Sequence, residues 1–496
     1  MKNITYAILA VLLFSSCEKW LAISPKSEIS SEELFKSEQG FKDALIGSYL
    51  LLTSKSSYGF EGTIGFLDGL AQQYPAAGTN HPYYYTVGYQ YEHASVLNKK
   101  DNMWVANYSA IANLNNIINT IDVEAPKLNP AHTSLIKGEA LGLRAFVHLD
   151  LYRLFGYGNL AADPEGLNKV NLPYVDKYSK NVTAPVSGLE YLQKVERDLL
   201  QAESLLAKYD SVSVAKNLSL GVEIPNGDKF YDNRRMRFNY YAVKATQARL
   251  YLWLGDYEKA KQAAEHVIRD GRRNLVSFHN GNINDPNPIN KDYTFSTEHI
   301  FALNVQNMYE YNKPYIDQYG PDGLNVNNLK LAHSGTVANE LYEINSKDGM
   351  SLSDYRYKEL YKKVSQTEYL LLKFTYVSNS AYYDRMPIIK LPEMYYILAE
   401  CHNELGDVSA AVNQLNTVRV SRGIASSYNL SPSLSKEQVQ AEIQREYRKE
   451  FVSEGQLFYY FKRRGNKNIP NTAKAMDNSV YILPLPQREL EMGNNG

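Results

Sequence analysis

Two stretches of this chain follow one plan, and that plan limits the fold more than any other feature. Asn239 to Leu254 carries an apolar helical period, Gly255, Asp256 and Tyr257 interrupt it, and a second period runs from Glu258 to Arg269. The plan returns from Leu391 to Leu405, breaks at Gly406 and Asp407, and continues to Arg422. Alanines fall where paired helices must approach closely: Ala245, Ala248, Ala260 and Ala263 in one copy, Ala399, Ala410 and Ala411 in the other. Such a hairpin cannot bury its apolar faces alone and has to stack on neighbours. A mostly helical, layered scaffold is therefore expected.

The paired helices are similar to tetratricopeptide units. Elsewhere the period predicts helices over about 32–53, where Phe41, Leu45, Ser48, Tyr49 and Leu52 share a face, and over about 102–122, 133–155 and 186–209. With about 237–270 and 388–422 these make one unit over 32–496, closed by a segment at 436–496. Between the helices, 54–98 and 271–386 lose the period and fill with Gly, Pro, Asn and Tyr. They are expected to be loop-rich and to carry the ligand contacts, since loops held by a rigid scaffold commonly carry binding function.

The first residues pass from Met1, Lys2 and Asn3 through an apolar run, Ile4 to Phe14, to Ser15, Ser16 and Cys17. The run is too short to span a bilayer. Residues 1–16 read as a signal peptide and Leu13 to Cys17 as a lipobox, with Cys17 acylated and 17–31 serving as anchor and tether. Each buried lipid methylene adds about 0.8 kcal/mol, so several chains hold a domain stably at a membrane. The remaining Cys401 lies in an apolar helical pattern and is expected in the core.

Lys plus Arg number 53 against 54 Asp plus Glu, without a long block of one sign, which argues against a nucleic-acid partner. No phosphate loop, nucleophile elbow or zincin pattern occurs, so no catalytic residue, metal or cofactor is expected. Glu450 and Glu454 sit one turn apart like an acid–base couple, but Arg445 and Arg448 beside them point to an ion network. Glu139 and Arg144 are expected to find opposite charges or backbone partners within the helical stack. His266 and His402 lack a second histidine at ligand spacing.

Tyrosine stands out, at 41 residues against 16 Phe and 3 Trp. Trp104 and Trp253 fall on periodic helix faces, so Tyr is left to supply flat rings for a sugar face. One group, Tyr74, Tyr83, Tyr84, Tyr85, Tyr89 and Tyr91, crowds a loop that also holds Asp68 and Asn80. Another, Tyr309, Tyr311, Tyr315 and Tyr319, lies in the insert with Asn307, Asn312 and Asp317. Ligand is expected where the Asp68 to Tyr91 loop meets the insert, on Asp68, Tyr74, Asn80, Tyr83, Tyr84, Tyr85, Tyr89, Tyr311 and Tyr315.

In order and spacing the chain resembles the SusD/RagB family. Trp20, Leu21 and Pro25 with Phe35 to Tyr49 resemble its opening, and Trp104, Tyr108, Ile111 and Asn115 its next helix. Gly138, Glu139, Ala140, Arg144, Ala145, Phe146, Leu154, Phe155 and Gly156 resemble its most distinctive block. Ala399, Glu400, Gly406, Ala411, Leu415, Asn416, Val418, Arg419, Arg445, Glu450, Glu454, Gly455 and Phe458 continue it, and Pro484, Leu485, Pro486 and Glu489 resemble its close. Ala22, Ile23, Gln456 and Leu457 depart from the pattern. The resemblance implies four tetratricopeptide-like helix pairs with an irregular ligand portion. It further implies a lipoprotein on the outer membrane of Bacteroidetes-type bacteria that feeds oligosaccharide, or in some branches peptide, to a SusC-like TonB-dependent transporter. A peptide binder and a lipid-anchored glycan hydrolase stand as alternatives.

Overall fold

A computed structural model describes residues 31–74, 80–124, 127–214, 229–279, 282–315, 331, 333–343, 353–363 and 368–493. Cys17 and the whole expected leader and tether up to residue 30 lie outside the described residues.

The chain is mostly helical, and eight helices form four sequential pairs. These are α1 (Glu38–Leu52) with α2 (Ala94–Glu124), α3 (Pro130–Phe155) with α4 (Gly188–Tyr209), α5 (Tyr240–Leu254) with α6 (Tyr257–His266), and α7 (Leu391–Glu404) with α8 (Val408–Ser421). Neighbouring pairs meet through α2 on α3, α4 on α5 and α6 on α7. Two further helices, α9 (Lys436–Glu450) and α10 (Leu457–Arg464), close the stack, with α9 against α7 and α8.

The repeated Gly-Asp turn works the same way in both copies. Gly255 (φ 78°) and Gly406 (φ 92°) are left-handed, which ends the first helix at no steric cost. The next residue then caps the second helix: Asp256 accepts from the Lys259 amide at 3.1 Å, and Asp407 from the Ala410 amide at 2.9 Å. At Gly255 space matters too, because an added Cβ would lie 2.7 Å from that of Ala161.

Helix α1 buries the expected face, Phe41, Leu45, Ser48, Tyr49 and Leu52. Helix α2 starts at Ala94 rather than near 102, so the expected loop over 54–98 ends early. The polar run Asn98 to Asn102 hides the period, yet Val96 and Lys100 are buried. Helix α3 is buried on every side from Gly138 to Phe155, and its charged groups are met from neighbouring elements. Glu139 accepts from the Tyr49 hydroxyl at 2.8 Å and pairs with Arg234 and Arg237. Arg144 reaches Asp198 at 2.7 Å and Asn115 at 2.8 Å.

Small antiparallel sheets punctuate the stack. Strand β1 (Val170–Pro173) pairs with β2 (Pro185–Ser187), and β3 (His299–Asn304) with β7 (Arg385–Lys390). Within the insert, β6 (Glu368–Leu371) lies between β4 (His333–Ser334) and β5 (Tyr361–Lys363). The β3–β7 pair ties residues 299–304 of the insert to its returning end at the foot of α7.

A buried ion network fastens the insert to the fourth pair. Glu450 takes Lys390 and Arg422 at 2.8 Å and Arg356 at 3.2 Å. Arg422 also grips Glu298 at 2.7 Å, Arg356 grips Asp354 at 2.7 Å and Glu446 at 2.9 Å, and Glu454 takes Lys390 at 2.8 Å and Lys373. Glu450 and Glu454 are thus structural, and the surrounding cations hold the Glu446 and Glu450 carboxyls, despite burial, well below the usual glutamate range.

Two buried histidines give the fold a pH signature. Burial pushes His148 down to about 3 and His299 to about 4. The unfolded chain protonates them near pH 6.5 while the folded chain does not, so each contributes stability that is complete above pH 6.5 and is lost as pH falls. Each should remove up to about 1.4 kcal/mol per pH unit below 6.5, with the depressed glutamates adding to the loss below about pH 4.3. Urea denaturation at stepped pH checks this. A midpoint that stays flat from pH 6.5 to 4.5 would contradict it.

Candidate ligand-binding surface

The loop between α1 and α2 is irregular because it lacks an aliphatic period, and it packs with tyrosines whose hydroxyls satisfy polar groups that no ladder reaches. Tyr89 donates to the Leu70 carbonyl at 2.9 Å and Tyr91 to the Val480 carbonyl at 2.5 Å. Tyr74 bonds the Ser453 hydroxyl, and Tyr83 lies 3.0 Å from both oxygens of Glu61.

Four residues expected to touch ligand are therefore corrected. Asp68 is fully buried and Tyr74, Tyr83 and Tyr89 nearly so, and all four have structural partners. Asp68 accepts from the Ser453 amide at 2.5 Å and the Gly455 amide at 3.1 Å. Those residues belong to the turn between α9 and α10, where Ser453 (φ 64°) and Gly455 (φ 69°) are left-handed. One carboxylate so clamps the loop to that turn.

The other expected residues stay accessible. Asn80 is exposed, and Tyr84, Tyr85, Tyr311 and Tyr315 are half-buried. Tyr85 stacks on His93 with centroids 3.4 Å apart and planes 11° apart, and Tyr84 stands edge-on to Tyr85 at 5.1 Å. The loop and the insert do meet: the Tyr315 ring lies 5.0 Å from Phe60 and 5.8 Å from Tyr83, with the Lys55 ammonium 5.6 Å from its centre. Beneath, burial pushes the Glu61 carboxyl up and the Lys99 amine down.

The insert adds a run of rings that the sequence reading passed over. Tyr309 lies 4.7 Å from Tyr376, which is 43% exposed, and Tyr376 lies 4.9 Å from Tyr383. The signal was there, since Tyr376 to Tyr383 repeats the Tyr, Asn and Ser composition of the first loop. Tyr319 and Asp317 lie outside the described residues.

Trp104 and Trp253 are buried, as the scaffold reading requires, and Cys401 is a buried free thiol. Among the described residues no group of His, Cys, Asp and Glu is arranged to hold a metal, and no helix is long and apolar enough to cross a membrane.

A rigid stack of helix pairs that carries tyrosine rings on its connecting loops defines a class of helical-repeat scaffold proteins. Within that class, this chain belongs to the SusD family, whose model matches residues 229–493. A second family model, described as starch-binding associating with outer membrane, matches residues 19–252. The chain is similar to SusD-like protein P38 of Formosa agariphila, with 25% identity over 452 residues, 85% of this chain and 82% of that protein. Among solved structures, a SusD superfamily protein from Bacteroides thetaiotaomicron superposes with a TM-score of 0.70 at 15% identity, covering 93% of this chain and 97% of that one. A SusD-like carbohydrate binding protein from Bacteroides vulgatus does so with a TM-score of 0.66 at 18% identity and the same coverage.

The Asp68 clamp separates a structural from a ligand role. Asp68→Asn should keep one backbone acceptor and lose the other, costing about 1–3 kcal/mol in denaturant unfolding. Ligand affinity at saturating folded fraction should not change. A variant as stable as the parent would overturn the assignment.

Proposed function

We propose that the chain is a non-catalytic binder of nutrient glycan at the outer membrane that hands its ligand to a SusC-like TonB-dependent transporter. The observation that carries this reading is the set of accessible rings on the connecting loops, Tyr84 and Tyr85 on one side and Tyr311, Tyr315 and Tyr376 on the other. Flat rings with polar edges, with the ammonium of Lys55 close to the Tyr315 ring, suit the C–H faces and hydroxyls of a sugar. The starch-binding description of the matching family model and the carbohydrate-binding structural neighbour point the same way. Catalysis has no support from the carboxylates that resemble a glycosidase couple, because Glu450 and Glu454 are spent on lysines and arginines.

A lipid anchor at Cys17 completes the proposal, motivated by the short apolar run that ends in Ser15, Ser16 and Cys17 and by the polar tether after it. Replacing Cys17 with Ala should move the folded protein from the membrane to the soluble fraction, and a variant still recovered with membranes would sink the anchor.

For the ring surface, calorimetry with a panel of oligosaccharides and peptides on Ala variants of Tyr84, Tyr85, Tyr311 and Tyr315 is the test. Loss of one stacking ring should weaken binding roughly three- to tenfold without lowering the melting temperature. Undiminished affinity in all four variants would place the ligand elsewhere, and preference for peptides over every saccharide would make the chain a peptide binder.

A further inference from the structure

A cleft of about 710 Å³ opens between the turn that leads into α5 and the strand pair β3–β7. Arg234 and Arg235 form one wall, and Tyr383, Asp384 and Arg385 form the other, where the insert returns into β7. The charges facing it do not balance. Arg234 is neutralised by Glu139 and by Asp210 at 2.7 Å. Arg235, exposed on the rim, spends only its Nε on the Leu275 carbonyl at 2.7 Å, and the Arg385 guanidinium lies 5.6 Å from the centre of the Tyr382 ring. Neither meets a carboxylate among the described residues.

Both arginines line the same cleft, and partial desolvation first and the charge of Arg385 second pull Arg235 below the usual arginine value. His299 adds no charge to the cleft, because burial holds it neutral with its Nε2 2.9 Å from the Thr294 carbonyl. Asp384 lines the same wall; burial pushes its carboxyl up, one of its oxygens has no hydrogen-bond partner, and it forms no ion pair with either arginine. Arg235 and Arg385 against Asp384, the single acid among the described lining residues, leave the cavity an excess of positive charge that favours an anion between the arginines. The planar guanidinium fork suits carboxylate and sulfate oxygens.

What surrounds the arginines suits a sugar. Asn233, Asn304 and Ser380 line the same cleft and offer amides and a hydroxyl. Tyr383 leads through Tyr376 to Tyr309, on the same short helix as Tyr311, so rings run from the cleft towards the proposed glycan surface. We propose that this cleft is a subsite for an acidic sugar unit, whose carboxylate or sulfate ester sits between Arg235 and Arg385 while the adjoining unit packs on Tyr383 and Tyr376. The proposal rests on the glycan-binding reading and adds the charge class of the ligand.

The test is calorimetry of the full chain with oligogalacturonate, a κ-carrageenan oligosaccharide that carries sulfate esters and no carboxylate, neutral maltoheptaose and a poly-glutamate peptide, using the parent, Arg235→Gln, Arg385→Gln and the double variant. At least one acidic saccharide should bind the parent more tightly than maltoheptaose does, and added NaCl should weaken it. Each substitution should cost about five- to tenfold in affinity for that saccharide, and more together, with maltoheptaose binding and melting temperature unchanged. Whichever acidic arm responds identifies the anion as carboxylate or sulfate. Binding of an acidic saccharide that survives the double substitution overturns the subsite. So does a parent that binds maltoheptaose but neither acidic saccharide, or one that prefers poly-glutamate through these arginines. If no saccharide binds the parent at all, the glycan reading itself falls, and this proposal falls with it.

Discussion

Burying Glu450 among Lys390, Arg422 and Arg356 is the interaction on which the placement of the binding loops depends. Each partner comes from a different part of the chain: Lys390 ends β7, Arg422 follows α8, and Arg356 lies within the insert. A buried network of this kind adds little net stability over an apolar core, but removing one member leaves an unpaired charge and costs about 3–5 kcal/mol. Its effect is therefore on arrangement, holding the long insert in one position on the fourth helix pair. The network continues into the ligand region. Lys373 binds Glu454 and also the carbonyls of Glu450 and Val452 at 3.1 Å, which shapes the turn whose amides Asp68 receives. The loop before α2 and the insert are thereby fastened to one turn of chain.

Charged pairs repeat this role between layers. Arg249 on α5 reaches Glu393 on α7 at 2.6 Å, and Arg463 on α10 reaches Glu400 on α7 at 2.5 Å. Apolar faces stack the helix pairs, yet an apolar contact tolerates sliding, whereas a bidentate guanidinium and carboxylate pair sets a register. Rigid layers in fixed register are what loops without periodic structure of their own need if their rings are to stay in place.

Tyrosine does two kinds of work here, and its hydroxyl decides which. Where the hydroxyl finds a buried acceptor, as Tyr83 does at Glu61 and Tyr89 at the Leu70 carbonyl, the ring becomes filling beneath an irregular loop. Where rings pack side by side, as in the Tyr85 and His93 stack or the Tyr309 and Tyr376 contact, the residues stay partly exposed. Both kinds arise from the same composition, which explains why a tyrosine-rich loop marks a region but does not single out its contact residues.

The sequence by itself determined the helical scaffold. Apolar period and Gly-Asp turns act within a few residues, so α1 and α5 to α8 were legible from local pattern. Glu450 and Glu454, by contrast, take their partners from Lys390, Arg422, Arg356 and Lys373 in distant segments rather than from the neighbouring Arg445 and Arg448. The sequence also marked both loop regions that carry tyrosine. Local pattern was weaker where polar residues continue a helix, as at the start of α2. Only the tertiary structure decided which side chains of those loops are exposed, turning Asp68 into a clamp and Tyr74, Tyr83 and Tyr89 into filling while bringing Tyr376 and Tyr383 beside Tyr309. Exposure depends on contacts such as Asp68 with Ser453, between segments far apart along the chain, and no spacing in the sequence encodes which distant residues will meet.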